Sequence, residues 1–144
     1  MALVVDAGAM YAMADADDPG HEAVRETLLG TREELVTTEL AVAEADYLIL
    51  DRLGGDAEAA FLEDLAEGTY TVECLDRGAI RQAADLIAQH RDLRIGLADA
   101  SLVVVAARHG TRRIVSFDHR AFRAVAPLQG GTFTILPADG SPGE

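Results

Sequence analysis

The sequence contains no lysine, a single cysteine and no apolar run of the roughly 18 residues that a bilayer span requires. Each absence excludes something. A P-loop NTPase needs a lysine on its phosphates, and a phosphoacceptor receiver domain also depends on one, so neither fits. The lone Cys74 cannot form an internal disulfide, and its place in the strand-like run "TYTVECL" reads as an inert buried thiol. The N-terminal stretch "MALVVDAGAM" has no basic segment and meets Asp6 early, which is not the pattern of a signal peptide. These features lead us to expect a soluble, cytoplasmic protein without membrane association.

What is present is a chain of 144 residues that is 49% apolar, enough for one packed domain. The formal charge of −13 speaks against a nucleic-acid partner until its distribution is considered. Residues 1–76 carry 19 acids and 3 arginines, a balance of −16; residues 77–144 carry 6 acids and 9 arginines, a balance of +3. All 12 basic residues are arginine. Guanidinium groups suit bidentate contact with phosphate, although a GC-rich genome produces the same bias. Arg91, Arg94, Arg112, Arg113, Arg120 and Arg123 are candidates for phosphate contact, although each taken singly is better explained as a solubilising surface residue.

Apolar runs at 2–5, 34–37, 69–75, 113–117 and 132–136 read as strands. Between them lie helical patterns at 8–14, 21–29, from a Thr38 cap to Leu53, from Asp56 to Ala66, from an Asp76 cap to His90, and from Leu97 to a stop at Gly110. In the 76–90 helix, Ile80, Ala83, Ala84 and Ile87 form the expected buried stripe. Strands alternating with helices predict a three-layer α/β/α sandwich around a parallel sheet of about five strands. The domain is expected over residues 1–137, with 138–144 as a flexible tail.

Ligands in such folds sit beyond the carboxyl ends of the strands. Asp6 follows the first strand and Asp118 the fourth, in "RRIVSFDHRAF". Asp99 falls in the first turn of the otherwise apolar "LADASLVVVAA", and Glu44 has Leu40, Ala41, Tyr47 and Leu48 as helical neighbours. Asp6, Asp99 and Asp118 each have a simple explanation as helix caps, and Glu44 as a surface partner of Arg52. Brought together, the four would repel unless a hard divalent cation with oxygen ligands, Mg²⁺ or Mn²⁺, offset their charge.

The ordered segments "VVDAGAMYAMAD", "TTELAVAEADYLI", "LRIGLADASLVVVAARHG" and "RRIVSFDHRAF" resemble the PIN domain, and more closely the VapC-type ribonuclease toxins of bacterial toxin–antitoxin pairs, over roughly residues 2–137. The resemblance implies that Asp6, Glu44, Asp99 and Asp118 are the acidic quartet holding Mg²⁺ or Mn²⁺, and that Ser116 is the small hydroxyl residue of the fourth-strand motif. It implies a metal-dependent endoribonuclease toxin acting on structured RNA, a tRNA or a ribosomal RNA stem-loop, inhibited by a cognate antitoxin and assembling as a homodimer. Hydrolysis would leave 5′-phosphate and 3′-hydroxyl ends. Gly8 departs from the family, which often has Ser or Thr there.

Two other classes remain to be distinguished. A small-phosphoester phosphatase is suggested by "VVDAG" at a strand end, but haloacid-dehalogenase-like enzymes usually carry a second Asp where this chain has Gly8, and a lysine. A non-catalytic binding module on the same fold would keep the pocket without the chemistry.

Overall fold

Short stretches rich in Val, Ile, Leu and Thr are stiff at χ1 and pack well on a pleated surface, so they favour strands. In the computed structural model, which describes residues 1–140, they form β1 (Ala2–Val5), β2 (Glu34–Thr38), β3 (Thr71–Glu73), β4 (Arg113–Val115) and β5 (Thr134–Leu136). All pair in parallel, in the order β3-β2-β1-β4-β5. Val4 is in register with Val36 on one side and Ile114 on the other. The intervening helices are α1 (Ala7–Ala14), α2 (His21–Gly30), α3 (Glu39–Leu53), α4 (Gly55–Ala66), α5 (Arg77–Gln89), α6 (Leu97–Arg108) and α7 (His119–Ala124), with a 3₁₀ turn at Arg91–Leu93. The sheet is central and the helices flank it, as expected.

Leu3, Val4 and Val5 are fully buried, as are Ile114 and Ile135 on the neighbouring strands. Burying each such side chain contributes about 1.5–3 kcal/mol. Helix α6 is buried at seven consecutive positions, Ala100 to Ala106, which accounts for its unbroken apolar sequence. Caps fix where the helices begin: Thr38 Oγ1 accepts from Ala41 N at 3.2 Å, and Asp76 Oδ1 from Ala79 N at 2.8 Å. Gly54, at φ 92°, ends α3 in a conformation that side chains rarely adopt.

Several local expectations need correction. β3 covers only Thr71–Glu73, because an edge strand with one partner ends where that partner does. Cys74 therefore lies beyond the strand and is exposed, not buried. The neighbouring Glu39 carboxylate, which accepts from its thiol at 3.4 Å, pushes the thiol pKa up and keeps it protonated. Helix α5 buries Ala79, Ala83 and Leu86, leaving Ile80 exposed; packing against α6 selects the small alanines for close approach and turns the expected stripe by about a residue. β4 stops at Val115, since Ser116 and Asp118 turn away to start α7. Of the expected tail, Asp139 receives Arg123 Nη1 at 2.7 Å and Ile135 N at 2.8 Å, and residues 141–144 lie outside the described residues.

No helix among the described residues is long and apolar enough to cross a membrane.

Candidate active site

From β1 the chain moves first to β2 and β3 on one side, then to β4 and β5 on the other. The strand order thus reverses between β1 and β4, the point at which open parallel sheets of this kind leave a ligand crevice at the carboxyl ends. Asp6 and the Ser116–Asp118 segment are the residues that leave these two strands. Asp6 N donates to Val115 O at 3.2 Å, tying the two strand ends together.

Asp6 is 4% exposed and caps α1, its Oδ1 accepting from Ala9 N at 2.8 Å. Ser116 is fully buried; its Oγ accepts from Asp118 N at 2.9 Å, leaving the hydroxyl hydrogen free for the Asp6 carboxylate. Asp118 caps α7 through Ala121 N at 3.2 Å. The cap reading therefore holds for Asp6 and Asp118, which each use one carboxylate oxygen this way. It does not hold for Asp99. Gly96 is the N-cap of α6, without a side-chain bond, and Asp99 lies within the first turn of the helix. Glu44 stands exposed on α3, while Arg52, its expected surface partner, lies over the Tyr11 ring at 5.2 Å.

Asp6 and Asp99 are the acids whose ionisation is shifted. Burial pushes the Asp6 carboxyl up to about 7, the Ser116 and Ala9 bonds offset part of that, and the charges of Asp99 and Asp118 add to it. Asp99 is pushed up to about 6, first by burial and then by Asp118 and Glu44. No cationic side chain appears among the groups acting on either carboxyl. Oxygen-only donors carrying excess negative charge, with no protein cation to neutralise them, fit a hard divalent ion. The structure does not itself assemble them into a site: among the described residues, no three His, Cys, Asp or Glu side chains are gathered closely enough to hold a metal ion.

The other candidates are distributed differently. Arg113 pairs with Glu33 at 2.7 Å, at the amino ends of the strands and away from the acids. Arg112 donates to Gly130 O at 2.6 Å, Arg123 is bound to Asp139, and Arg120 donates to Leu93 O at 2.8 Å. Arg91 and Arg94 flank the 3₁₀ turn and are exposed, as is His119. A groove of about 860 Å³ also lies at the amino edge, lined by Thr31, Arg32, Arg113 and Thr134; it contains none of the four acids. A hydroxyl network escaped the sequence reading. Thr37 Oγ1 donates to Val5 O at 2.8 Å, so β2 braces the carbonyl that precedes Asp6, while Thr38 Oγ1, 2.8 Å from Ser101 Oγ, ties β2 to α6. Threonine and serine at strand and helix starts are too common to mark such contacts in advance.

The PIN domain model matches residues 3–128. Over 135 residues, 94% of this chain and the whole of the relative, the sequence is 42% identical to Ribonuclease VapC26 of Mycobacterium tuberculosis. The crystal structure of M. tuberculosis VapC20, a sarcin–ricin loop cleaving toxin, superposes with a TM-score of 0.76 at 20% identity, over 81% of this chain and 90% of that one. VapBC2 from Rickettsia felis, bound to a DNA fragment from its promoter, gives a TM-score of 0.65 at 11% identity, over 94% and 97%. These two likenesses are of fold.

Proposed function

This chain belongs to the PIN-domain family, and from that premise we propose that it is an endoribonuclease toxin, hydrolysing phosphodiester bonds in structured RNA and held inactive by a cognate antitoxin. The observation that carries the reading is the set of uncompensated carboxylates at the β1–β4 crevice, two of them pushed up to about 7 and about 6. PIN-domain ribonucleases are generally dependent on a divalent metal. In this chain Asp6, Asp99 and Asp118 would hold Mg²⁺ (or Mn²⁺), with Glu44 contributing directly or through water. The ion, when bound, supplies charge stabilisation to the phosphorane-like transition state and makes water a stronger acid.

The protein's own groups do the positioning. Ser116 orients the Asp6 carboxylate, and the α1 and α7 amide caps hold one oxygen each of Asp6 and Asp118. In-line attack by water leaves 5′-phosphate and 3′-hydroxyl ends and requires neither the 2′-hydroxyl nor a histidine. Arg91 and Arg94, both exposed, would meet backbone phosphates.

The substrate is a folded tRNA or a ribosomal RNA stem-loop, the class to which the sarcin–ricin loop cut by VapC20 belongs. The catalytic unit spans residues 1–137, acts in the cytoplasm where such RNA resides, and assembles as a homodimer. An antitoxin arginine placed among the acids would supply the missing positive charge and exclude the ion. Incubation with total RNA and Mg²⁺, with and without EDTA, tests the reading. Cleavage abolished by EDTA and by Asp99→Asn supports it, and cleavage indifferent to EDTA refutes it. Metal binding without RNA cleavage would instead identify a binding module, and release of phosphate from small esters a phosphatase.

A further inference from the structure

Between Ser116 and Asp118 lies Phe117, a large apolar side chain that remains 43% exposed beside the acids. Its ring rests on the connection between α1 and α2. Gly20 has an ordinary right-handed backbone, φ −90° and ψ −3°, so nothing in its conformation calls for glycine. Space does. A Cβ there would lie 2.3 Å from the ring's Cζ and 2.8 and 3.0 Å from its Cε atoms. The connection is itself braced: Gly20 N donates to Asp18 Oδ1 at 2.8 Å, His21 N to Asp18 O at 3.0 Å, and the His21 ring meets Ala12 O at 2.7 Å. The tip of the ring is therefore seated on a firm support while much of its surface is left to solvent. An aromatic side chain needed merely to cement the loop would be covered by it.

We infer that Phe117 is a stacking platform for an unpaired nucleobase next to the phosphate that is cut. The inference rests on the ribonuclease reading and narrows its substrate. A base inside a duplex already stacks on both faces, so a platform at this position favours a base splayed from a loop or bulge. Because the ring is already held in place, little side-chain freedom is lost on binding. Every base presents a π face, so the contact selects single-stranded geometry rather than sequence.

The chain has no tryptophan, so Phe117→Trp introduces a sole indole at the platform. In an Asp6→Asn background, a stem-loop oligoribonucleotide with Mg²⁺ is expected to quench that fluorescence, whereas a fully paired duplex of equal length is not. In the active protein, Phe117→Ala should raise KM for the stem-loop by about tenfold or more, with kcat changed less than about threefold and the thermal midpoint tracking the fold. Phe117→Tyr should restore native KM. Gly20→Ala, which displaces the ring while keeping it, should raise KM in the same direction. Binding of the stem-loop, read from the anisotropy of labelled RNA, without quenching of the indole overturns the inference, as does a native KM in Phe117→Ala. Either result leaves the ribonuclease reading intact. A native protein that neither binds nor cuts RNA overturns both.

Discussion

Active-site acids are often held at a cost to stability, and Asp6→Asn should strengthen this protein. In the unfolded chain Asp6 ionises at its ordinary 3.8, and in the fold only near 7. Between those values folding takes up a proton, and each pH unit removes about 1.4 kcal/mol of stability. The loss begins near pH 4 and is complete above pH 7, where it amounts to about 4 kcal/mol. Asparagine removes the buried charge and still caps α1, because its carbonyl can accept from Ala9 N as Asp6 Oδ1 does at 2.8 Å. Burying its amide costs about 2 kcal/mol. The net gain in metal-free buffer at pH 8 is then about 2 kcal/mol, or roughly 7 °C in Tm. At pH 5 the penalty in the native protein has fallen to about 2 kcal/mol and the gain vanishes. Thermal unfolding in EDTA at both pH values measures this directly. A variant less stable than the native protein at pH 8, or a gain equal at both pH values, would refute the argument that Asp6 is held ionised at a cost.

Magnesium should raise the Tm of the native protein, and more so at pH 8 than at pH 5, because protons held by Asp6 and Asp99 compete with the ion below about 7 and about 6; a thermal shift independent of pH would count against these ligands. Thr38→Ala removes both the α3 cap and the Ser101 contact at 2.8 Å; a loss of about 2 kcal/mol is expected in urea denaturation, and a loss below about 0.5 kcal/mol would show that the hydroxyl network does not brace the site.

The sheet and its acids were legible for different reasons. β1 and β4 announce themselves by unbroken apolar runs that end on Asp6 and Asp118, so their place at the sheet's carboxyl edge follows from the parallel order alone. Asp99 stands out because a carboxylate inside α6 has no apolar purpose. Glu44 is different: it is exposed on α3 among several other acids, and family resemblance alone singled it out. The remainder was hidden because it depends on contacts distant in sequence. The buried face of α5 is decided by how closely α6 approaches, the exposure of Cys74 by where the β2 partner ends, and the seating of Phe117 by a missing Cβ almost a hundred residues earlier.

The central claim is that Asp6, Glu44, Asp99 and Asp118 share one cation-binding site. Calorimetric titration of the native protein with Mn²⁺ at pH 7, in two buffers of different ionisation enthalpy, tests it most directly. The account predicts saturable binding with release of protons from Asp6 and Asp99, lost in Asp99→Asn. Saturable binding that persists unchanged in Asp99→Asn, or no binding by the native protein, would contradict it.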